Sequence, residues 1–468
     1  MWTTTSGLQG RSLHLAITFT SVMGFSLFGY DQGLMSGLVS GDKFTTEFHV
    51  LHDPSGNNIH VSVLQGKNTC PLKKKKKRYI SNIILGAVVA CYEIGCFFGA
   101  IFTLVFGQAF GRTRTMFCGG LILTLGAVIS TASFGPHWGL GQFVVGRVIS
   151  GVGNGMNTAT IPVWQSECSG AHNRGFLVCF EGAIIAVGTF VAYWVDFGFS
   201  FTKTSVQWRF PVAFQIIFAV ITSLGALALP ESPRWFITRD RDAEACFILG
   251  KLNGMEDDDE RVLHDFNLMK SDYKSASGAQ ASWKTLFTFG KTQEFQRMLI
   301  GCSGQFFQQF TGCNAAIYYS TILFKKDLNT GNLISLVLGG VFSTVYALGT
   351  IPSFFMVEKV GRRKLYLVGF IGQGLSFIIS FACLLALEKD HKKNDASGGA
   401  VGLFLFIIFF AFSLLPLPWI YPPEINPLRT RTAAASVSTC TNWLSNFGKS
   451  TKKKKKKKKK IPKTQIDT

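Results

Sequence analysis

Ten stretches of this chain are long enough and apolar enough to cross a lipid bilayer as helices. They fall at roughly 12–36, 84–106, 115–134, 139–163, 176–198, 209–230, 297–323, 332–357, 364–387 and 399–421, and an eleventh begins near Thr432 and stops at Phe447. About 20 consecutive apolar residues span the hydrocarbon. Lipid offers a backbone N–H or C=O no partner, so a spanning segment must satisfy its own groups as a helix unless it closes into a barrel. The expected fold class is therefore an all-α membrane protein. Composition agrees, with 47% hydrophobic residues and only 16% charged, against about 25% charged in a soluble domain.

Basic residues set the orientation, because they stay on the cytoplasmic side. With the N-terminus inside, the inner loops carry Arg112 and Arg114, then Arg174, then Lys359, Arg362, Arg363 and Lys364, then Arg429 and Arg431. Lys389, Lys392 and Lys393 dissent, offset in part by Glu388, Asp390 and Asp395. Residues 231–290 are the one long polar stretch and form a cytoplasmic linker between a first half at 1–230 and a second at 291–447. The first apolar stretch is too long for a cleaved signal and reads as its own insertion signal.

The net charge of +20 does not point to nucleic acid, because Lys73–Lys77 with Arg78 and Lys452–Lys460 supply fifteen of those charges. Both lysine runs sit oddly, the first on the outer side and the second inside an unfinished helix. A lysine at mid-bilayer costs about 2.5–3.5 kcal/mol, so nine in succession cannot complete a span. Both tracts open on Gly-Lys, at Gly66-Lys67 and Gly448-Lys449, which is how the intron donor GTAAG reads after a G. Residues 66–86 and 448–468 are accordingly expected to be intron-derived; a real basic loop and tail is the alternative. The eleven cysteines show no CxxC pair and no zinc spacing, so they read as small buried hydrophobes. No phosphate-cradling loop, nucleophile triad or metal cluster stands out, and neither an enzyme nor a cofactor is expected.

The halves echo each other. Gly111-Arg112 recurs as Gly361-Arg362, and Glu167 with Arg174 recurs as Glu424 with Arg431. Ordered motifs run along the chain: Gly29-Tyr30-Asp31-Gln32-Gly33, Gly146-Arg147, Pro162-Val163-Trp164-Gln165-Ser166-Glu167, Pro230-Glu231-Ser232-Pro233-Arg234, Gln308-Gln309-Phe310-Thr311-Gly312-Cys313-Asn314, Glu358-Lys359-Val360-Gly361-Arg362-Arg363 and Pro416-Leu417-Pro418-Trp419. Together they resemble the sugar porter family of the major facilitator superfamily, in its fungal hexose transporter branch. The resemblance covers nearly the whole chain except the lysine tracts. It implies a major facilitator fold of two six-helix halves, seen here as about ten helices plus a truncated eleventh. It also implies a multi-pass, monomeric plasma-membrane protein that moves a hexose such as glucose by alternating access. A sugar sensor of the same fold and a non-functional truncated product are the rivals. The partners are a small sugar, the bilayer and, in a symporter, protons; no nucleic acid is expected.

The residues give their own reasons. Carboxamides both donate and accept hydrogen bonds, which suits sugar hydroxyls without adding charge. Gln305, Gln308 and Gln309 are spaced three and four apart and, with Asn314, can line one face of a helix; the bland alternative is helix–helix glue. Trp419 can stack on a sugar's apolar face. The resemblance places Gln308, Gln309, Asn314, Tyr318, Trp419 and Asn442 on sugar-contacting positions, whereas Gly182 with Glu181 beside it replaces the family's fifth-helix Gln. Asp31, expensive in a membrane helix, is expected to pair with Arg147. In proton-coupled relatives that pair looks like the proton switch; a static ion pair is the alternative, and symport and uniport stay open. Arg112, Glu167, Arg174, Glu358, Arg362, Arg363, Glu424 and Arg431 form inner charge clusters that could bias the two access states or merely set topology. The family's acid before Gly111-Arg112 is replaced by Gln108.

Overall fold

A computed structural model describes residues 7–48, 71–134, 139–169, 174–276, 286–287, 293–327, 331–390, 393–427 and 430–451. The first half holds α1 (Gly10–Ser40), the short α2 (Asp42–Glu47), α3 (Pro71–Phe110), α4 (Arg112–Thr131), α5 (Gly139–Cys168), α6 (Arg174–Phe199) and α7 (Val206–Ala228). Three linker helices follow, α8 (Pro233–Ile237), α9 (Asp242–Asn253) and α10 (Glu260–Ala276). The second half holds α11 (Glu294–Phe310), α12 (Cys313–Asp327), α13 (Asn332–Gly349), α14 (Ile351–Val360), α15 (Arg362–Asp390), α16 (Lys393–Phe409), a π-helical turn at Phe410–Leu414, α17 (Leu417–Ile425) and α18 (Arg431–Thr451).

Among the described residues, eight helical stretches are long and apolar enough to span a membrane, fewer than the sequence suggests. The segments that fall short are α5, the pair α11–α12, and α18. They fall short because they are polar: α5 buries Arg147, Asn154, Asn157 and Gln165, and α11–α12 buries Gln305, Gln308, Gln309 and Asn314. Such side chains are carried where helices meet helices, away from lipid. Lipid-side residues are the opposite, as with exposed Leu121, Leu125 and Val128 on α4.

Several expected spans are broken. The seventh is interrupted at Thr311-Gly312, where Gly312 takes a φ of +93° that a side chain would resist. The eighth is interrupted at Thr350 ahead of Pro352, and the tenth by the π turn and Pro416. The helix expected to stop at Phe447 runs on to Thr451, and the second span begins at Pro71 rather than near residue 84. Lysine is a good helix former, so the backbone through Lys73–Lys77 continues as helix.

As far as Ala276 the linker is a folded unit rather than a loose connection. Trp235, Phe236, Ile248, Leu249, Leu252, Val262 and Phe266 pack with Leu13 and Ile17 of α1 in one core. It also clamps the α3–α4 turn. Trp235 Nε1 donates to the Gln108 carbonyl at 2.9 Å, and Arg239 donates to the Ala109 carbonyl at 3.1 Å. Both fill acceptors that a helix C-terminus leaves open. The Glu231 carboxylate caps the N-terminus of α4, accepting from the Arg112 and Thr113 amides at 3.0 and 3.1 Å. Between these ends Gly111 has a φ of +92°, and its echo Gly361 has +86°. That shared left-handed turn is the physical content of the repeated Gly-Arg. The halves meet where α3 lies along α18, α6 along α13, and α1 along α12.

Candidate functional site

The second half contributes a polar wall because its prolines leave carbonyls open. Pro418 has no N–H for the Leu414 carbonyl and Pro422 none for the Pro418 carbonyl. Carboxamides from α11 take their place: Gln308 Nε2 donates to Leu414 O at 2.7 Å and Gln305 Nε2 to Pro418 O at 2.8 Å. Asn442 on α18 donates to Gln305 and, at 3.3 Å, to Gln308. Asn314 donates to Gln309 at 2.8 Å.

These residues surround a small cavity between the halves. Gln308, Gln309, Asn314, Asn442 and Trp419 line it, facing Phe28, Gln32 and Ile185 of the first half. Its volume is about 20 Å³, room for roughly one water. Admitting anything larger requires the halves to part. Phe28 meets both Trp419 and Trp443 in edge-to-face fashion, with ring centroids 6.1 and 5.1 Å apart.

The outer side of this cavity is closed by bonds between halves. Ser36 of α1 bonds Thr321 of α12 at 2.8 Å. Tyr193 of α6 bonds Ser320 at 2.6 Å and donates to the Ile317 carbonyl. Toward the inner side, the Phe180 and Phe354 rings lie 6.4 Å apart across the halves.

Two expected cavity residues are placed elsewhere. Gln305 is absent from the lining and instead braces the wall, donating to the Pro418 carbonyl and accepting from Asn442. Tyr318 is absent because its hydroxyl donates to Glu93 of α3 at 2.6 Å. Phe28, Gln32 and Glu93 were not foreseen. Gln32 stands in the Asp31 motif, next to the residue that drew attention; Glu93, a lone acid in an apolar segment, gave the same signal as Asp31.

Arg147 and Asp31 form a two-pronged pair, with Nη2 to Oδ2 at 3.0 Å and Nη1 to Oδ1. The guanidinium also lies 4.3 Å from the centre of the Tyr92 ring. Of the inner charges, Arg112 bonds Glu167 at 3.1 Å and Gln108 Oε1 at 2.8 Å, so Gln108 keeps the acceptor though not the charge of the acid it replaces. Arg362 bonds Glu424 at 2.8 Å. Each pair joins helices within one half. Arg363 is exposed beside its pair. The Arg174, Glu358 and Arg431 side chains lie outside the described residues. Among the described residues no group of three or more His, Cys, Asp or Glu side chains could hold a metal ion.

Two helical halves with a polar cavity at their seam define a membrane carrier of the major facilitator fold. The chain belongs to the sugar (and other) transporter family, which it matches over residues 16–451. It is 63% identical over 447 residues to the major facilitator superfamily transporter mfsA of Aspergillus fumigatus, covering 96% of this chain and 79% of that protein. It is 50% identical over 441 residues to the sugar transporter STL1 of Saccharomyces cerevisiae, covering 94% and 73%. The proton:xylose symporter XylE, solved with 6-bromo-6-deoxy-D-glucose, shares the fold with a TM-score of 0.75 at 24% identity, over 94% of this chain and 88% of that one. The protein is thus a multi-pass membrane transporter, not an enzyme.

Proposed function

We propose that this protein moves a monosaccharide, a hexose such as glucose, across the plasma membrane by rocking its halves about the cavity. The observation that carries this reading is the ring of Gln308, Gln309, Asn314 and Asn442 with Trp419 at the seam. It offers donors and acceptors without charge, and one indole for an apolar ring face. The kinship to a protein named as a sugar transporter supports the substrate class. Proton coupling through Asp31 and Arg147 is part of the proposal: protonating Asp31 releases Arg147 and frees the two helices to separate. The inner pairs Arg112–Glu167 and Arg362–Glu424 act as latches that form when the cytoplasmic side is closed.

The test is uptake of labelled glucose, xylose and a polyol by cells without other sugar carriers, with and without a protonophore. Saturable glucose uptake that collapses with the protonophore is the expected result. Surface-delivered protein that moves none of the three overturns the carrier reading in favour of a sensor of this fold.

A further inference from the structure

Glu93 is a second buried acid in the membrane region, and its surroundings differ from those of Asp31. It is 1% exposed. Its Oε1 accepts the Tyr318 hydroxyl at 2.6 Å, while its Oε2 is buried with no partner among the described residues. The Asn446 amide of α18 reaches the same phenol oxygen at 3.5 Å. One carboxyl on α3 therefore ties α12 of the opposite half, through a phenol that α18 also contacts. The tie lies on the outer side of the cavity, in the layer where Ser36 bonds Thr321 and Tyr193 bonds Ser320.

No cation pairs with Glu93 among the described residues. Around it, α5 brings Arg147 and α1 brings Asp31, and those two are committed to each other. The second half brings Tyr318 on α12 and the neutral Asn446 on α18. Tyr92 and Cys96 are the titratable neighbours on α3 itself. A carboxylate without a counter-ion is costly in such a place. Uncharged, Glu93 holds the bond to Tyr318 with no unbalanced charge. Ionised, it calls for water, and water reaches it only when α3 and α12 separate.

We propose that Glu93 is a proton-linked latch of the outer gate and the residue that positions Tyr318. This rests on the alternating-access reading above and adds a second acid to it. The carboxylate takes a proton from the outer solution as the gate closes and returns it to the same side when the gate reopens, so Glu93 sets when the carrier opens rather than carrying the coupled proton. Linkage makes the effect reciprocal: acid outside favours closure, and closure favours the proton.

The test reads the gate without requiring transport. Leu38, buried where the outer end of α1 meets Leu336 of α13, is replaced by cysteine in the full chain. Its labelling by a membrane-impermeant maleimide is followed against outer pH, with the chain lacking that cysteine as background and rates corrected for thiolate content. Labelling should rise with pH by up to about tenfold per pH unit, the limit for one linked proton. Glu93→Gln keeps the acceptor but cannot ionise, and its labelling should stay low and flat. Tyr318→Phe removes the donor and loosens the closed gate, so its labelling should be higher than wild type at every pH while a pH step remains, because closure still buries the acid; Glu93→Met covers the case in which Glu93→Gln misfolds. A pH step unchanged in Glu93→Gln, or in Glu93→Met where the Gln variant misfolds, overturns the latch, and so does wild-type labelling in Tyr318→Phe. Sugar counterflow run in parallel separates the two readings: a pH-gated label without counterflow refutes the carrier, and counterflow without a Glu93-dependent step refutes the latch.

Discussion

Replacing Asp31 by Asn probes the buried ion pair most directly. The two side chains are 3% and 2% exposed and joined by two bonds. Removing one partner of such a pair leaves an uncompensated charge, at about 3–5 kcal/mol. The Tyr92 ring face under the guanidinium offsets about 1–2 kcal/mol of that in a desolvated site. The expected net loss for Asp31→Asn is therefore about 1–4 kcal/mol. Removing both charges, as Asp31→Asn with Arg147→Gln, leaves no stranded ion and is expected to cost under about 1 kcal/mol. Thermal unfolding of the purified variants measures this cycle. Proteoliposomes measure the function: gradient-driven accumulation should vanish in both variants, while sugar counterflow should persist in the double variant. A double variant as unstable as the sum of its singles would refute the electrostatic argument. Accumulation that survives Asp31→Asn would refute the proton switch.

Other outcomes follow from the same geometry. Asn442→Ala strands the Gln305 and Gln308 oxygens it now serves, and should cost about 1–3 kcal/mol of stability and raise KM about tenfold. Trp419→Phe should keep most of the packing on Phe28 and raise KM less than Trp419→Ala, as measured by concentration-dependent uptake. Gln108→Glu adds a charge beside Arg112 and should slow inward opening about two- to fivefold, read from single-turnover release, as expected for about 0.5–1 kcal/mol of added pairing. Sequencing the mature transcript should find both lysine-coding tracts, for residues 66–86 and 448–468, absent; their presence would refute the intron origin.

Much of the architecture was legible because its causes are local. A run of apolar residues long enough to cross lipid must be a helix, and basic loops fix its direction. The repeated Gly-Arg was legible as a repeat, though its cause, a left-handed φ at Gly111 and Gly361, appears only in the backbone. The carboxamides were legible as a polar face but not by role. Spacing puts Gln305, Gln308 and Gln309 on one helix; only the position of Pro418 and Pro422 against α11 decides that Gln305 braces the wall while Gln308 also faces the cavity. Asp31 called for a cation by itself, and Arg147 came within reach only through the packing of α5 on α1 and α3. Glu93 and Tyr318 stand 225 residues apart, and nothing near either names the other. Local chemistry determined which segments enter the membrane and which residues are costly there; which costly residues meet, and across which seam, was decided by long-range packing, because a partner that satisfies a buried group is chosen by space and not by sequence separation.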